Sequence, residues 1–190
     1  FTPMARLLRK FGRPDLAIQA ATRHLDEEPD DIAALTTRGA AHTDLGHLHD
    51  ATRDHQRGYE IEPDSSYLLN AFSRTRQEDG RLKEALELAR RAFEIDQSRP
   101  TARRLISAAR AMRDAGAAEK ALGILESLPD AASSPAVDQM LVALAAQVHM
   151  TMGRLEAVEA YLRAVSNEEI ILEETQQIIG ELAAWVEDEH

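Results

Sequence analysis

The chain has 190 residues, no cysteine, 4% aromatic residues and a formal charge of -11 at pH 7. Without cysteine there is neither a disulfide framework nor a thiolate metal site, and stability must come from packing. The acidic balance argues against general binding to nucleic acid or anionic membranes, and a composition rich in alanine, leucine, arginine and glutamate leaves little from which to build strands.

No basic-then-apolar leader precedes the first polar residues, and no apolar run approaches the 18 or so residues that cross a bilayer. The expectation is a cytoplasmic protein without membrane or nucleic-acid partners. The chain starts at Phe1 rather than Met, which suggests a segment of something longer.

Five glycines set a register: Gly12, Gly46, Gly80, Gly116 and Gly153 lie 34, 34, 36 and 37 residues apart, a period typical of stacked supersecondary units. With the glycine as position 15 of each unit, apolar or small residues recur at positions 4, 7, 8 and 11, the spacing of one face of a helix. In the first unit these are Phe1, Met4, Ala5 and Leu8, and in the fourth Leu105, Ala108, Ala109 and Met112. A second stripe follows the glycine, for example Leu82, Ala85, Ala89 and Ala92 in the third unit.

Each unit therefore reads as two amphipathic helices. The glycine closes the first, where a left-handed residue is needed. Position 20, filled by Ala17, Ala51, Ala85 and Ala121, is small so that the two helices approach closely. Pro29 and Pro63 stop the second helices, and Asp30, Asp31, Asp64 and Ser65 are N-cap candidates for the helices that follow. Ser134 before Pro135 is a further cap and first helical residue. From Ser166, with Glu169 completing a capping box, a last helix carries Ile171, Ile178, Ile179, Leu182 and Val186 largely on one side.

Leu35, Gly39, Gly46, Ala51 and Pro63 in the second unit, with Leu69, Gly80, Ala85, Ala92 and Phe93 in the third, stand at the signature positions of a known family. The chain resembles the tetratricopeptide repeat family over roughly residues 1–166. That resemblance implies an all-α fold: a right-handed superhelical solenoid of helix-turn-helix repeats, about five of them, plus a C-terminal helix. The units run over approximately 1–31, 32–65, 66–99, 100–130 and 135–166. Residues 167–190 form a capping helix or the start of a sixth repeat. The later units depart from the pattern, with Gln97 where proline is usual, Val158 in place of the small alanine, and Pro129 closing the fourth unit early.

In the family that the chain resembles, first helices line a concave face through positions 2, 5, 9, 12 and 13. Carried onto this sequence, the groove receives Thr2, Arg6, Arg9 and Lys10, then Ala33, Thr36, Ala40, Thr43 and Asp44. Tyr67, Asn70, Arg74, Gln77 and Glu78 follow, then Arg103, Ile106, Arg110, Arg113 and Asp114, then Met140, Ala143, Gln147, Met150 and Thr151.

Seven basic residues fall in this set against three acids, in an acidic protein. The groove is expected to be locally positive. Arginines suit the forked recognition of carboxylates on an extended acidic peptide, with Asn70 holding backbone amides. The binding candidates are thus Arg6, Arg9, Lys10, Tyr67, Asn70, Arg74, Gln77, Arg103, Arg110 and Arg113. Members of the family clamp acidic chaperone C-termini with lysine, asparagine and arginine; Asn70 and Arg74 resemble part of that set, and its lysines are missing. A plainer reading pairs Arg74 with Glu78 and Arg110 with Asp114 at i,i+4 on solvated helix faces.

His42, His47, His49 and His55 crowd the second unit, and the period assigns His42 and His55 to the interior near Arg38. No HExxH or comparable spacing supports a metal, so the expectation is hydrogen-bonded, half-buried imidazoles and no metal or other cofactor. No GxSxG, phosphate loop or cysteine nucleophile is present, so no enzyme is expected.

The leading reading is a non-enzymatic scaffold whose groove binds a peptide or helix from a partner protein. Alternatives are an accessory segment of a larger bacterial enzyme or regulator, and a self-assembly module pairing through Leu182, Trp185 and Val186 of the C-terminal helix.

Overall fold

The computed structural model describes residues 2–127, 135–165, 170 and 173–189. Among them are eleven α-helices and no strand. Phe1, Pro129, Ser134, Ser166, Glu169 and Ile171, to which the sequence assigned packing, stop or capping roles, lie outside the described residues. The helices divide between two compact units, residues 1–96 and 97–190.

The first unit contains α1 (Thr2–Lys10), α2 (Pro14–Glu27), α3 (Ile32–Asp44), α4 (Leu48–Ile61), α5 (Ser66–Glu78) and α6 (Leu82–Ile95). The second contains α7 (Arg99–Asp114), α8 (Ala118–Glu126), α9 (Pro135–Thr151), α10 (Leu155–Val165) and α11 (Glu173–Glu189).

All five register glycines adopt positive φ, between 67° and 80°. Each closes a first helix by the same pair of hydrogen bonds. After α3, Gly46 N donates to the Thr43 carbonyl and His47 N to the His42 carbonyl, at 3.0 and 2.9 Å. A Cβ at these positions would meet no neighbour, so conformation rather than space requires glycine. The position-20 alanines Ala17, Ala51, Ala85 and Ala121 are fully buried, and Val158 fits the same place in the last pair without exposure.

Within the first unit the helices pack as successive hairpins. Each second helix also contacts the next first helix, and α3 packs on both α1 and α5. Among the described residues, α2, α4 and α6 have no comparable packing on one another. The layer of first helices is the more tightly packed of the two.

At the repeat junctions, Asp31 caps α3 by accepting from Ala34 N at 2.7 Å, whereas Ser65 at the N-cap of α5 makes no such bond. Asp30 and Asp64 do something else: they pair with Arg57 and Arg91, at 2.7 and 2.9 Å. These arginines recur with the repeat on α4 and α6, and they staple each junction to the following second helix.

The interior of the first unit carries a polar seam. His55 is fully buried; its Nδ1 lies 3.1 Å from Thr75 Oγ1, which lies 2.7 Å from Thr43 Oγ1. Thr43 donates in turn to the Gly39 carbonyl. The imidazole occupies the space beside Gly39, where a Cβ would come within 2.6 Å of Nε2. Burial pushes the His55 imidazole down to about 4; the Thr36 main chain works against the shift, while Arg76, Arg9 and His42 reinforce it. Between the same two helices, Arg38 of α3 makes a two-point bond to the buried Asp54 of α4 at 2.8 and 2.7 Å.

One expectation of the periodic pattern fails at the start. Met4, a member of the predicted stripe, is 56% exposed; Leu7 and Phe11, which lie outside that stripe, are exposed as well, and the packing of α1 among the described residues is on α2 and α3.

In the second unit α11 packs on both α9 and α10, as α3 packs on α1 and α2. Leu182 is fully buried in a cluster with Ala143, Ala146, Val158, Tyr161 and Ile178, and Trp185 and Val186 lie half-buried against it. This trio therefore turns inward toward α9 and α10 rather than forming an open patch. Among the described residues no helix is long and apolar enough to cross a membrane.

Candidate binding groove

Arginines assigned to the groove from separate repeats meet across α3. Asp44, at the C-terminal end of α3, gives one carboxylate oxygen to Arg9 Nε of α1 and the other to Arg74 of α5, each at 2.6 Å. One turn earlier on α1, the Arg6 guanidinium lies over the Tyr67 ring of α5, 4.7 Å from its centroid. The Tyr67 hydroxyl is 3.5 Å from Thr37 Oγ1 on α3.

Side chains from the first and third repeats converge across α3, which carries small residues between them. Thr36 and Ala40 are buried, Ala33 half-buried. Long arginines on the flanking helices lean inward over this floor. The i,i+4 reading of Arg74 is thereby replaced: its carboxylate partner is Asp44 on the neighbouring helix.

Two open hollows adjoin this cluster. One of about 370 Å3 is lined by Pro3, Arg6, Leu7, Lys10 and Ala33. A second, about 670 Å3, is lined by Arg6, Arg9, Lys10, Gly12, Pro14 and Asp44. Arg6 and Lys10 border both and are exposed, so an entering group meets two cations beside an apolar wall. On α5, Asn70 is half-buried and its Oδ1 makes no hydrogen bond; Gln77 is half-buried in the last turn.

Arg103, Arg110 and Arg113 lie on α7 in the second unit. Arg103 is exposed, and Arg110 is half-buried with its Nε unbonded. The partner of Asp114 is Arg113, at 2.8 Å, rather than the i-4 Arg110 proposed by the plainer reading. Groove positions assigned to α9 are covered instead: Met140, Ala143 and Gln147 are buried, and Gln147 donates to Glu181 of α11 at 3.0 Å. Here α11 lies across the face that the sequence left open.

Sequence reasoning placed Asp44 in the groove as one of three opposing acids and missed that it joins two arginines. The signal was its register, one residue beyond the position of Arg9 and four beyond that of Arg74, which puts all three at one end of the first-helix layer.

No family model matches the sequence, and no curated protein does. Solved structures match over nearly the whole chain. A crystal structure of MamA aligns with a TM-score of 0.64 at 19% identity, covering 86% of this chain and 94% of that one. A thermophilic TPR protein of Thermus thermophilus aligns at 0.54 and 19% identity, covering 97% and 96%. This is the tetratricopeptide-repeat fold. Nearly identical TPR-like repeats of a putative kinesin light chain from Podosopora anserina agree, at a TM-score of 0.63 and 15% identity over 100% of this chain and 94% of that one. At these identities the TPR likeness concerns architecture. It agrees with the glycine register and the position-20 alanines, the features that build the hairpins.

Proposed function

We propose that the protein is a non-enzymatic scaffold and that the concave side of its first unit, formed by α1, α3 and α5, holds an extended acidic segment of a partner protein. The observation that carries this reading is the shared Asp44 carboxylate. Its two oxygens occupy the donors of Arg9 and Arg74 in the way that a ligand's carboxylate would. One acid is divided between two arginines, and Arg6 and Lys10 add further positive charge at the adjoining hollows.

An acidic residue of the partner enters beside Arg6 and Lys10, with Leu7, Pro3 and Ala33 taking an apolar neighbour. A second competes with Asp44 for Arg9 and Arg74, and the open Asn70 oxygen accepts a backbone N–H. Specificity comes from the charge pattern and the narrow floor, in keeping with peptide recognition in preformed grooves.

A fluorescein-labelled decapeptide alternating glutamate with leucine, and its lysine counterpart, test the reading by anisotropy at low salt. The acidic peptide binds and the basic one does not. Reversing Arg9 and Arg74 to glutamate weakens binding several-fold or more, whereas reversing Arg57 and Arg91 on the second helices leaves it unchanged. Asp44→Asn tightens binding, since it removes the internal competitor. Equal losses from both pairs of reversals, or no preference between the peptides, overturn the proposal.

A further inference from the structure

The first repeat junction carries a group of donors that the peptide-binding reading does not use. His24 stands in the last turn of α2, Glu28 at its C-cap and Asp31 at the N-cap of α3. One ligand atom from each lies within 4.8 Å of the others, and His24 Nε2 is 3.0 Å from Asp31 Oδ2.

The repeat itself does not call for this set. One period later the corresponding positions hold Gly58, Glu62 and Ser65. There the small residue is packed tightly, since a Cβ on Gly58 would lie 3.2 Å from Leu68 Cδ1. The third unit has Ala92 at the same place, fully buried. At the first junction an imidazole, only 14% exposed in its side chain, replaces that small residue and faces a carboxylate.

Asp31 is also held in place from behind. Its Oδ1 accepts from Ala34 N at 2.7 Å, which fixes the helix cap and leaves Oδ2 directed at His24. Bonding of a ligating carboxylate to the surrounding structure is the usual way to orient it. Asp30, next in sequence, is engaged by Arg57 and does not compete. Glu28 is exposed, so its side chain is free to swing the remaining distance.

We propose that His24, Glu28 and Asp31 form a binding site for a divalent transition-metal ion of the zinc type. Two carboxylates neutralise a dication, and the imidazole selects zinc, cobalt or nickel over magnesium and calcium, which prefer all-oxygen sites. Three protein donors leave a fourth tetrahedral position for water. Because His24 and Glu28 belong to the end of α2 and Asp31 caps α3, the ion ties the two helices together at the junction.

Titration calorimetry on the full chain at pH 7.5 with zinc chloride, and absorption spectra with cobalt chloride, test the assignment. One zinc binds per chain, magnesium and calcium do not, and cobalt develops the visible bands of a tetrahedral site. His24→Gln and Asp31→Asn each weaken zinc binding by about tenfold or more, with asparagine retaining the helix cap. His49→Gln, a change at an exposed histidine of α4, has no effect. Circular dichroism checks folding, and Glu28→Gln, a surface change, serves should His24→Gln unfold the junction. Absence of saturable zinc binding, unchanged affinity in the folded variants, or equal binding of magnesium overturns the proposal.

Discussion

The two units build the same hairpin stack from different interiors. In residues 1–96 the buried set includes Thr36, Thr37, Thr43, Asp54, His55, Ser73, Thr75 and Arg76. Among the described residues of 97–190 it is almost wholly apolar, with Leu105, Leu144, Val148, Val158, Ile178 and Leu182 among its members and Thr101, Gln147 and Thr175 as polar exceptions. An apolar interior gains free energy wherever side chains fill space, and tolerates small shifts. A polar seam holds only when each partner is in place, because an unmatched buried group costs about 1–3 kcal/mol. The first unit should therefore be more exact in its register and more sensitive to chemistry, and the second more sensitive to lost volume.

The largest expected effect lies on the apolar side. Leu182→Ala empties a fully buried site among α9, α10 and α11 and should destabilise by about 3–4 kcal/mol. Hydrogen exchange read by mass spectrometry should show the loss of protection in α9 to α11 and not in α2 to α5. Equal loss in both units would end the comparison.

Acidification should act in the opposite place. His55 is neutral and buried when folded, held at about 4, but titrates near its ordinary value when unfolded. The unfolded chain therefore binds the extra proton first. Stability is full above about pH 6.5 and falls as pH drops toward 4, by at most about 3 kcal/mol. Burial also depresses His42, despite the opposing Asp54 and Asp50, so it contributes in the same direction. Urea midpoints between pH 7.5 and 4.5, with exchange localised to α3 to α5, measure this, and His55→Leu should flatten the profile. In the second unit His149 is lowered too, but it is only half-buried and lies beside Arg154 and Glu126, so its share is smaller.

A smaller effect comes from Gly39→Ala. The new Cβ would press on the His55 ring, a side chain with no room to retreat, for a cost of about 2 kcal/mol. Pairing it with His55→Ala should recover part of the loss, and a double-mutant cycle reads the coupling. Strict additivity would show that ring and glycine do not meet.

Much of the architecture was legible because it is local. A glycine at positive φ, an alanine at the hairpin's closest approach and a proline at the end of a second helix act within a few residues, so their spacing exposes the period. His55 in the interior was legible from the same count. The roles of Asp30 and Asp64 were not: both look like caps, and each instead reaches an arginine about 27 residues away.

The candidate groove divides along the same line. Position numbers brought Arg6, Arg9, Tyr67 and Arg74 to one face. They could not show that Arg74 prefers Asp44 to its own i+4 neighbour, or that Met140, Ala143 and Gln147 lie under α11.

The sequence by itself determined the hairpin, its period and the side of each helix that packs, because these depend on backbone conformation and side-chain volume over one repeat. Only the tertiary structure decided which charged groups meet and which faces are covered, because those contacts join helices about one repeat or more apart, and their distances depend on how closely each repeat settles on the next.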